Sequence, residues 1–367
     1  MLLKSRLLLT VLISHFIGGY HMIEAKAENE RPSPPPGGSA SGIYCHQILA
    51  ADSDNGESFK PDGQVLLDHA SVPDIILFGG QPLIYYVNGD PESDHGIYTA
   101  SRDANLNWAR GNKVLLDGVF NGDAVDPDVV PTEGTIQLFY YLGHFITPVP
   151  ARQEPHPIYR AESTDGVHFK VLGKVFEAPE ITDPTVIRFK DGSWLMATAS
   201  KGRIIIAESS DGMKFNPLTE INTPGIPELA LIMGDQARLY LNSPQGIGSY
   251  LSTDHGKSWD REQGVRLNAR SVADPSVIRQ ADGSWVMVYK KINSQCVPPQ
   301  RQTTLLPGSQ PHDARWQAFR SPDEELLNCF RRHLDGPMLR LFSQGFPPRE
   351  EWLIEKGEQT LDTCLKQ

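Results

Sequence analysis

One short phrase recurs along the chain and constrains its fold more than any other feature. Three copies have the form Asp-Pro-x-Val-[Val/Ile], and they begin at Asp126, Asp183 and Asp274. Two further copies keep the proline without the acid before it, at Pro73 and Pro227. A phrase repeated at intervals of about 45–60 residues is typical of a repeat architecture. We therefore predict an all-β fold of five repeats, each one a blade of a five-bladed β-propeller.

A second phrase, Ser/Asp-x-Asp-x-Gly-x-x-aromatic, predicts where hairpins turn. Its clearest copy occupies residues 252–259, and related copies occupy residues 52–59, 101–108, 163–169 and 209–215. The aspartate can accept backbone N–H groups, the glycine supplies a positive φ, and the aromatic side chain can pack into the blade. We expect these residues to be structural rather than catalytic.

The order of the two phrases predicts how the propeller closes. Each opening phrase is followed by a turn phrase, except the one at Asp274, which has none after it. The turn phrase at residues 52–59 has, conversely, no opening phrase before it. Both therefore belong to one blade, in which the N-terminal strand completes the last sheet and leaves no free edge.

The closure also predicts a disulfide bond. Four cysteines can pair in three ways. Cys45 begins the N-terminal strand and Cys296 follows the last β-forming run, so the closure brings them to neighbouring strand ends. We predict Cys45–Cys296 and, by remainder, Cys329–Cys364; the alternative is that some thiols are free.

Composition along the chain suggests four segments. Residues 1–27 resemble a signal peptide, with Lys4 and Arg6 before an apolar run and an Ala-x-Ala site at its end. An uncleaved membrane anchor is the alternative. Residues 28–42 are rich in proline and glycine and predict a disordered lead-in, residues 43–293 the propeller, and residues 294–367 a partly helical extension packed on it. We expect a secreted or periplasmic protein, which is a compartment that permits disulfides.

The charge balance excludes some partners. The net charge is −11, from 45 acidic and 34 basic residues. Nucleic acids and anionic membranes both need a basic surface, so we expect neither as a partner. We expect a monomer that binds a glycan, and no cofactor.

Carboxylates cluster at the opening phrases. In a propeller, the opening strand of every blade lines the central channel, so these acids should meet at one mouth; they are Asp74, Asp126, Asp128, Asp183, Glu228 and Asp274. Mutual repulsion and burial should raise some of their pKa values, which is the split that general acid and base chemistry needs. The alternative is that Asp-Pro is only a strand-opening turn in which the aspartate caps local N–H groups.

These features resemble the propeller glycosidases of the arabinanase, xylosidase and fructosidase group, and the turn phrase resembles the Asp-box of sialidase-like propellers. The first resemblance covers residues 43–293 and implies glycoside hydrolysis by a base Asp in the first blade, a second Asp in the next and a Glu acid in the third. Asp74 and Asp126 match the first two positions, whereas the third blade opens with Asp183 and the fourth carries Glu228.

The roles predicted from the sequence follow from this match. Asp74 is the base, Glu228 the acid and Asp126 the charge-balancing catalytic residue, while four further residues bind substrate: Asp128, His144, Asp183 and Asp274. Two alternatives stay open. One is a non-catalytic propeller that binds carbohydrate or protein, and the other is a structural module in which the same acids bind a cation such as calcium.

Overall fold

The structure is a computed structural model. It describes residues 43–90, 93, 95–117, 119, 124–142 and 155–297, and in the C-terminal part residues 315, 316, 318, 319, 322–334, 338, 339, 342 and 351–365. The predicted signal peptide, the predicted lead-in and His144 lie outside the described residues.

The described strands form five blades, which confirms the five-bladed propeller. The first blade contains β3 (Ala70–Phe78), β4 (Gln81–Asn88), β5 (Ile97–Arg102) and β6 (Trp108–Lys113). The second contains β7 (Leu115–Leu116), β8 (Ala124–Pro131), β9 (Ile136–Leu142), β10 (Pro155–Ser163) and β11 (His168–Pro179). The third contains β12 (Thr182–Arg188), β13 (Trp194–Ser200), β14 (Arg203–Ser209) and β15 (Asn216–Ile221). The fourth contains β16 (Pro227–Ile232), β17 (Gln236–Ser243), β18 (Gly246–Ser252) and β19 (Asp260–Arg261).

The fifth blade joins the two ends of the propeller. It contains β1 (His46–Ser53), β2 (Lys60–Asp68), β20 (Val272–Arg279) and β21 (Trp285–Ile292), in the order β2-β1-β21-β20. Strand β1 pairs antiparallel with β21 from His46 opposite Ile292 to Ser53 opposite Trp285. The predicted closure is therefore confirmed.

Both predicted disulfides are present. Cys45 and Cys296 are bonded with their Cα atoms 5.5 Å apart, across the ends of β1 and β21. The second bond joins Cys329 and Cys364. The cysteines are all paired.

One blade departs from the predicted four strands. The short strand β7 adds a fifth to the second blade by pairing parallel to the outer strand β11, with Leu115 opposite His168. The side chain of Leu116 is buried in the apolar cluster between the first two blades, which explains why this segment leaves the first blade and adheres to the second.

Most of the apolar core lies between blades rather than at the axis. Each of five buried clusters combines side chains of two neighbouring blades, such as Phe139 and Ile158 of the second with Trp194 and Met196 of the third. The inner strand of every blade contacts the inner strands on both sides, and β20 contacts β3. Burial of apolar surface therefore favours the closed ring, because opening it would expose one whole interface.

The predicted turns are held by the interactions that their sequence suggested. Asp165 accepts hydrogen bonds from the N–H groups of Val167 and His168, and Gly166 has a φ of 79°. The N-terminal copy differs from the prediction in one respect. There the accepting side chains are Ser53 and Asn55, not Asp52, so this turn is one residue shorter than the pattern implied.

The C-terminal part contains two helices, α1 (Glu324–His333) and α2 (Glu351–Cys364). Asp323 caps α1 by accepting the N–H of Leu326 (2.8 Å). The helices share a buried cluster that includes Trp316 and Phe330 and the cystine of Cys329 and Cys364. Neither helix has the length and hydropathy that crossing a bilayer requires.

Candidate functional site

A small cavity lies where the opening phrases of all five blades meet. Its volume is about 20 Å³, large enough for a single water molecule. Pockets that enclose whole small molecules measure roughly 300–1,000 Å³. A larger ligand would therefore sit over this cavity and reach into it with individual polar groups.

Of the seven site residues that were predicted from the sequence, six line this cavity. They are Asp74, Asp126, Asp128, Asp183, Glu228 and Asp274. The seventh, His144, lies outside the described residues. The predicted convergence of the six carboxylates is thus found, and the structure divides them into two rings.

The first-position ring contains the residues directly before each proline, namely Val72, Asp126, Asp183, Ile226 and Asp274. Val72 and the three aspartates have a left-handed backbone, with φ between 46° and 51°. At each of these four, the residue and its proline together oppose one residue of the neighbouring strand, as Asp126 and Pro127 oppose Tyr140. This is a β-bulge, and bulges are common beside active sites because they redirect a side chain.

The third-position ring contains the residues directly after each proline, and each accepts a hydrogen bond from a backbone N–H of the next blade. Asp74 accepts from Val129 (2.6 Å), Asp128 from Val186 (3.0 Å), Thr185 from Leu229 (2.9 Å), Glu228 from Val277 (2.9 Å) and Ser276 from Ile75 (3.0 Å). The five bonds form a closed circuit. The third-position ring therefore links every blade to its neighbour.

Two hydroxyl groups of this ring also donate to the acids. Ser276 donates to Asp74 Oδ1 (2.7 Å) and Thr185 donates to Glu228 Oε2 (3.0 Å). Both oxygens of Asp74 and both of Glu228 thus have donors within the fold. Burial, opposed by these bonds, raises the pKa of Asp74 to about 6. Burial followed by the charge of Asp74 raises the pKa values of Asp128 and Glu228 well above their usual range.

The first-position ring is less well satisfied. Asp126 Oδ2 accepts the N–H of Asp183 (3.3 Å), but the buried Asp126 Oδ1 has no hydrogen-bond partner among the described residues. The buried Asp274 Oδ1 likewise has none. Unsatisfied buried polar atoms are rare, so two at one cavity suggest that a ligand or water completes them.

The pKa values within this ring are also separated. Burial, with the charges of Asp183 and Asp274, raises the pKa of Asp126 well above its usual range. Burial and the charge of Asp274 raise the pKa of Asp183 to about 6. Asp183 keeps more contact with solvent than the other two aspartates. One carboxyl protonated and another ionised near neutral pH is the arrangement that acid and base catalysis requires.

A lysine that was not predicted from the sequence lies beside the aspartates of the first-position ring. Lys290 lies on β21, and its Nζ is 2.5 Å from Asp274 Oδ2. It follows no proline and belongs to no repeated phrase, so no sequence signal marked it. Its approach to the channel depends on how β21 pairs with the bulged strand β20, where Lys290 opposes Ala273.

Two groups of side chains have the spacing of metal ligands among the described residues. The first is Cys329, His333 and Cys364, whose two sulfurs are bonded to each other. The second is Asp74, Asp128 and Glu228. Their oxygens already accept the bonds that link the blades, so the observed arrangement serves the fold. The calcium ion considered from the sequence stays a prediction.

Comparison with known proteins finds similar structures but no related sequence. No family model matches the chain, and no curated protein matches it. A thermostable family-43 glycoside hydrolase superposes with a TM-score of 0.47 at 15% identity, covering 60% of this chain and 88% of that one.

Two further structures are similar. An α-L-arabinofuranosidase from Clostridium thermocellum has a TM-score of 0.44 at 16% identity, covering 59% of this chain and 80% of its own. A family-117 glycoside hydrolase from Zobellia galactanivorans has a TM-score of 0.44 at 12% identity, with coverages of 70% and 93%. At these identities the likeness concerns the fold, so an activity has to follow from the site itself.

Proposed function

We propose that the protein binds a glycan over the channel mouth and hydrolyses a glycosidic bond there. The observation that carries the proposal is a pair of buried oxygens at one cavity, Asp126 Oδ1 and Asp274 Oδ1, to which none of the described residues donates a hydrogen bond. Sugars present many O–H donors on a small rigid ring. A sugar hydroxyl directed into the cavity would donate to Asp274 Oδ1, and a protonated Asp126 Oδ1 would donate to a sugar oxygen, which would remove the cost of leaving both atoms unpaired.

The separated pKa values support hydrolysis as well as binding. The protonated carboxyl of Asp126 would give its proton to the glycosidic oxygen as the bond to the anomeric carbon breaks. The ionised carboxylate of Asp183, which touches solvent, would take a proton from the attacking water. Asp274 would accept a hydrogen bond from a sugar hydroxyl group and so hold the sugar in place.

This assignment differs from the roles predicted from the sequence, in which Glu228 is the acid and Asp74 the base. Both of those carboxyls already have donors at each oxygen, whereas Asp126 has an oxygen that is free to exchange a proton. We therefore favour the first-position ring as the reacting set. The acid and base roles of Glu228 and Asp74 stay predictions that their own variants can test.

One observation favours a second candidate function, a propeller that binds glycan without catalysis. Among the six carboxyl groups that line the cavity, Glu228 is the one glutamate, and it is engaged in linking blades. We also propose that the protein is secreted or periplasmic and monomeric. The two disulfides support the first point, and gel filtration of the purified protein tests the second.

A screen of aryl glycosides and polysaccharides, with Asp126→Asn as the comparison, tests the proposal. The parent protein should release the aryl group from at least one neutral glycoside. Asp126→Asn should lower that rate by about 10²–10⁴-fold, which is the usual contribution of a general acid or base. Binding without turnover by the parent would favour the second candidate, and neither binding nor turnover would contradict both.

A further inference from the structure

Lys290 occupies a position that is uncharged in the other bulged blades. It pairs with Ala273, the residue before Asp274. The same position in the first three blades, opposite Ser71, Val125 and Thr182, holds Val87, Tyr141 and Ala199. The fold can therefore be built with an uncharged side chain at this place. A lysine at this position therefore suggests a role in the site rather than in the formation of the blade.

The surroundings of Lys290 are acidic on three strands. Its side chain is only 13% exposed, and its ammonium lies 2.5 Å from Asp274 Oδ2 on β20. Against the lowering effect of burial, the charges of Asp274, of Asp183 on β12 and of Asp126 on β8 raise the pKa of Lys290. His46, on the adjacent strand β1, is a further titratable group that this charge affects. Burial and the charge of Lys290 lower the pKa of His46 to about 3, so this imidazole is neutral near pH 7 and adds no second positive charge.

Three carboxyl groups around one cavity repel each other when they ionise, and left-handed backbone at each of them adds strain. An ammonium held among them offsets that repulsion. It also fixes Asp274 through one oxygen, Oδ2, while the other, Oδ1, has no donor in the part of the chain that the structure describes. A hydrophobic residue at position 290 would leave the orientation of Asp274 undetermined.

We propose that Lys290 is a positioning residue of the glycan site, whose ammonium holds Asp274 by one oxygen and offsets the charge of the three first-position aspartates. This inference rests on the proposed function for its ligand, but its electrostatic part stands on the geometry alone. The two parts can therefore fail separately.

The electrostatic part predicts a pH-dependent loss of stability in Lys290→Met. A carboxyl group whose pKa is raised by folding binds more protons in the folded state than in the unfolded state. Its contribution to the stability of the fold therefore falls as the pH rises above about 4. Without the ammonium those pKa values rise further, and the loss continues to higher pH. A side chain that served only for packing would cost the same at every pH.

The experiment compares urea denaturation at pH 5 and pH 8 for the parent, Lys290→Met, Lys290→Arg and Lys291→Met. Lys291 is the matched control, because it is the next residue and is exposed. In Lys290→Met, the unfolding equilibrium constant relative to the parent should be at least tenfold larger at pH 8 than at pH 5. Lys291→Met should match the parent, and Lys290→Arg should recover most of the difference. An equal loss at both pH values would overturn the electrostatic role.

A double variant and a binding measurement complete the test of Lys290. If Lys290→Met does not fold at either pH, the double variant with Asp274→Asn should fold, because it no longer contains the unpaired carboxylate. Failure of both variants to fold would count against the electrostatic role.

Binding is then measured with D-galactose, D-xylose and L-arabinose as probes. A sugar that the parent binds should bind at least tenfold more weakly to Lys290→Met and be partly restored in Lys290→Arg. Unchanged affinity would overturn the positioning role. If the parent protein binds no glycan in the wider screen, the proposed function is wrong, and the stability measurements at the two pH values alone test the electrostatic role of Lys290.

Discussion

The third-position ring makes a sharp prediction about Thr185→Val. Thr185 is 1% exposed, accepts the N–H of Leu229 (2.9 Å) and donates to Glu228 Oε2 (3.0 Å). Valine has nearly the same shape but can do neither. The change leaves one buried N–H without an acceptor and one buried oxygen without a donor, each at a cost of about 1–3 kcal/mol. We expect a total loss of about 2–6 kcal/mol.

Thr198→Val is the matched control. Thr198 is also fully buried in the third blade, but its hydroxyl has no hydrogen-bond partner among the described residues. Valine there removes an unsatisfied group and should leave stability unchanged or raise it.

Thermal unfolding followed by circular dichroism compares the two variants. For a domain of this size, a loss of 1 kcal/mol lowers Tm by about 2–4 °C, so Thr185→Val should unfold about 4–24 °C below Thr198→Val. Equal Tm values for the two variants would refute the view that the ring bonds link the blades.

Three further predictions concern pH, a turn and the closure. Burial raises the pKa values of Asp74 and Asp183 to about 6 and those of Asp126, Asp128 and Glu228 well above their usual range, and these five outweigh the opposite effect of the lowered pKa of His46. The folded protein should therefore lose stability as the pH rises from about 4 through 6. Urea denaturation should show a loss of about 3 kcal/mol or more, and rising stability over that range would contradict the raised values. Gly212→Ala should be more destabilising than Gly202→Ala by about 1–3 kcal/mol. Both glycines have positive φ, but only at Gly212 would a Cβ meet Arg160, at 2.5 Å; equal Tm values would show that the contact relaxes. Replacing both cysteines of the ring-closing disulfide by serine should cost about 2–4 kcal/mol in the same assay, and no loss would mean that strand pairing alone closes the ring.

Much of the fold could be predicted because it follows from patterns within single strands and turns. The repeated Asp-Pro phrases gave the number of blades, and their offset from the turn phrases gave the closure. Cys45 and Cys296 then followed from strand adjacency. Local patterns were enough because each blade is built mainly from consecutive strands.

The division of the acids could not be predicted from the same patterns. Simple alternation along a strand treats Asp126 and Asp128 as equivalent neighbours on one face. The bulge at Asp126 and Pro127 breaks that alternation, and the partner of Asp128 is an N–H group 58 residues further on. Lys290 was missed for a similar reason, since its place in the site depends on the register between two strands and not on any motif.

The central claim is that the first-position ring meets the ligand while the third-position ring holds the blades together. Calorimetric titration of a glycan that the parent binds, into Asp126→Val and Glu228→Gln, tests this most directly. Valine is the residue that the first blade already carries in the same backbone conformation, at Val72. Asp126→Val should bind at least tenfold more weakly, and its Tm should fall less than that of Glu228→Gln, because it removes one long hydrogen bond, from the N–H of Asp183 (3.3 Å). Glu228→Gln should keep the affinity of the parent and unfold at a lower temperature. The reverse pattern, with affinity lost in Glu228→Gln and kept in Asp126→Val, would contradict the claim.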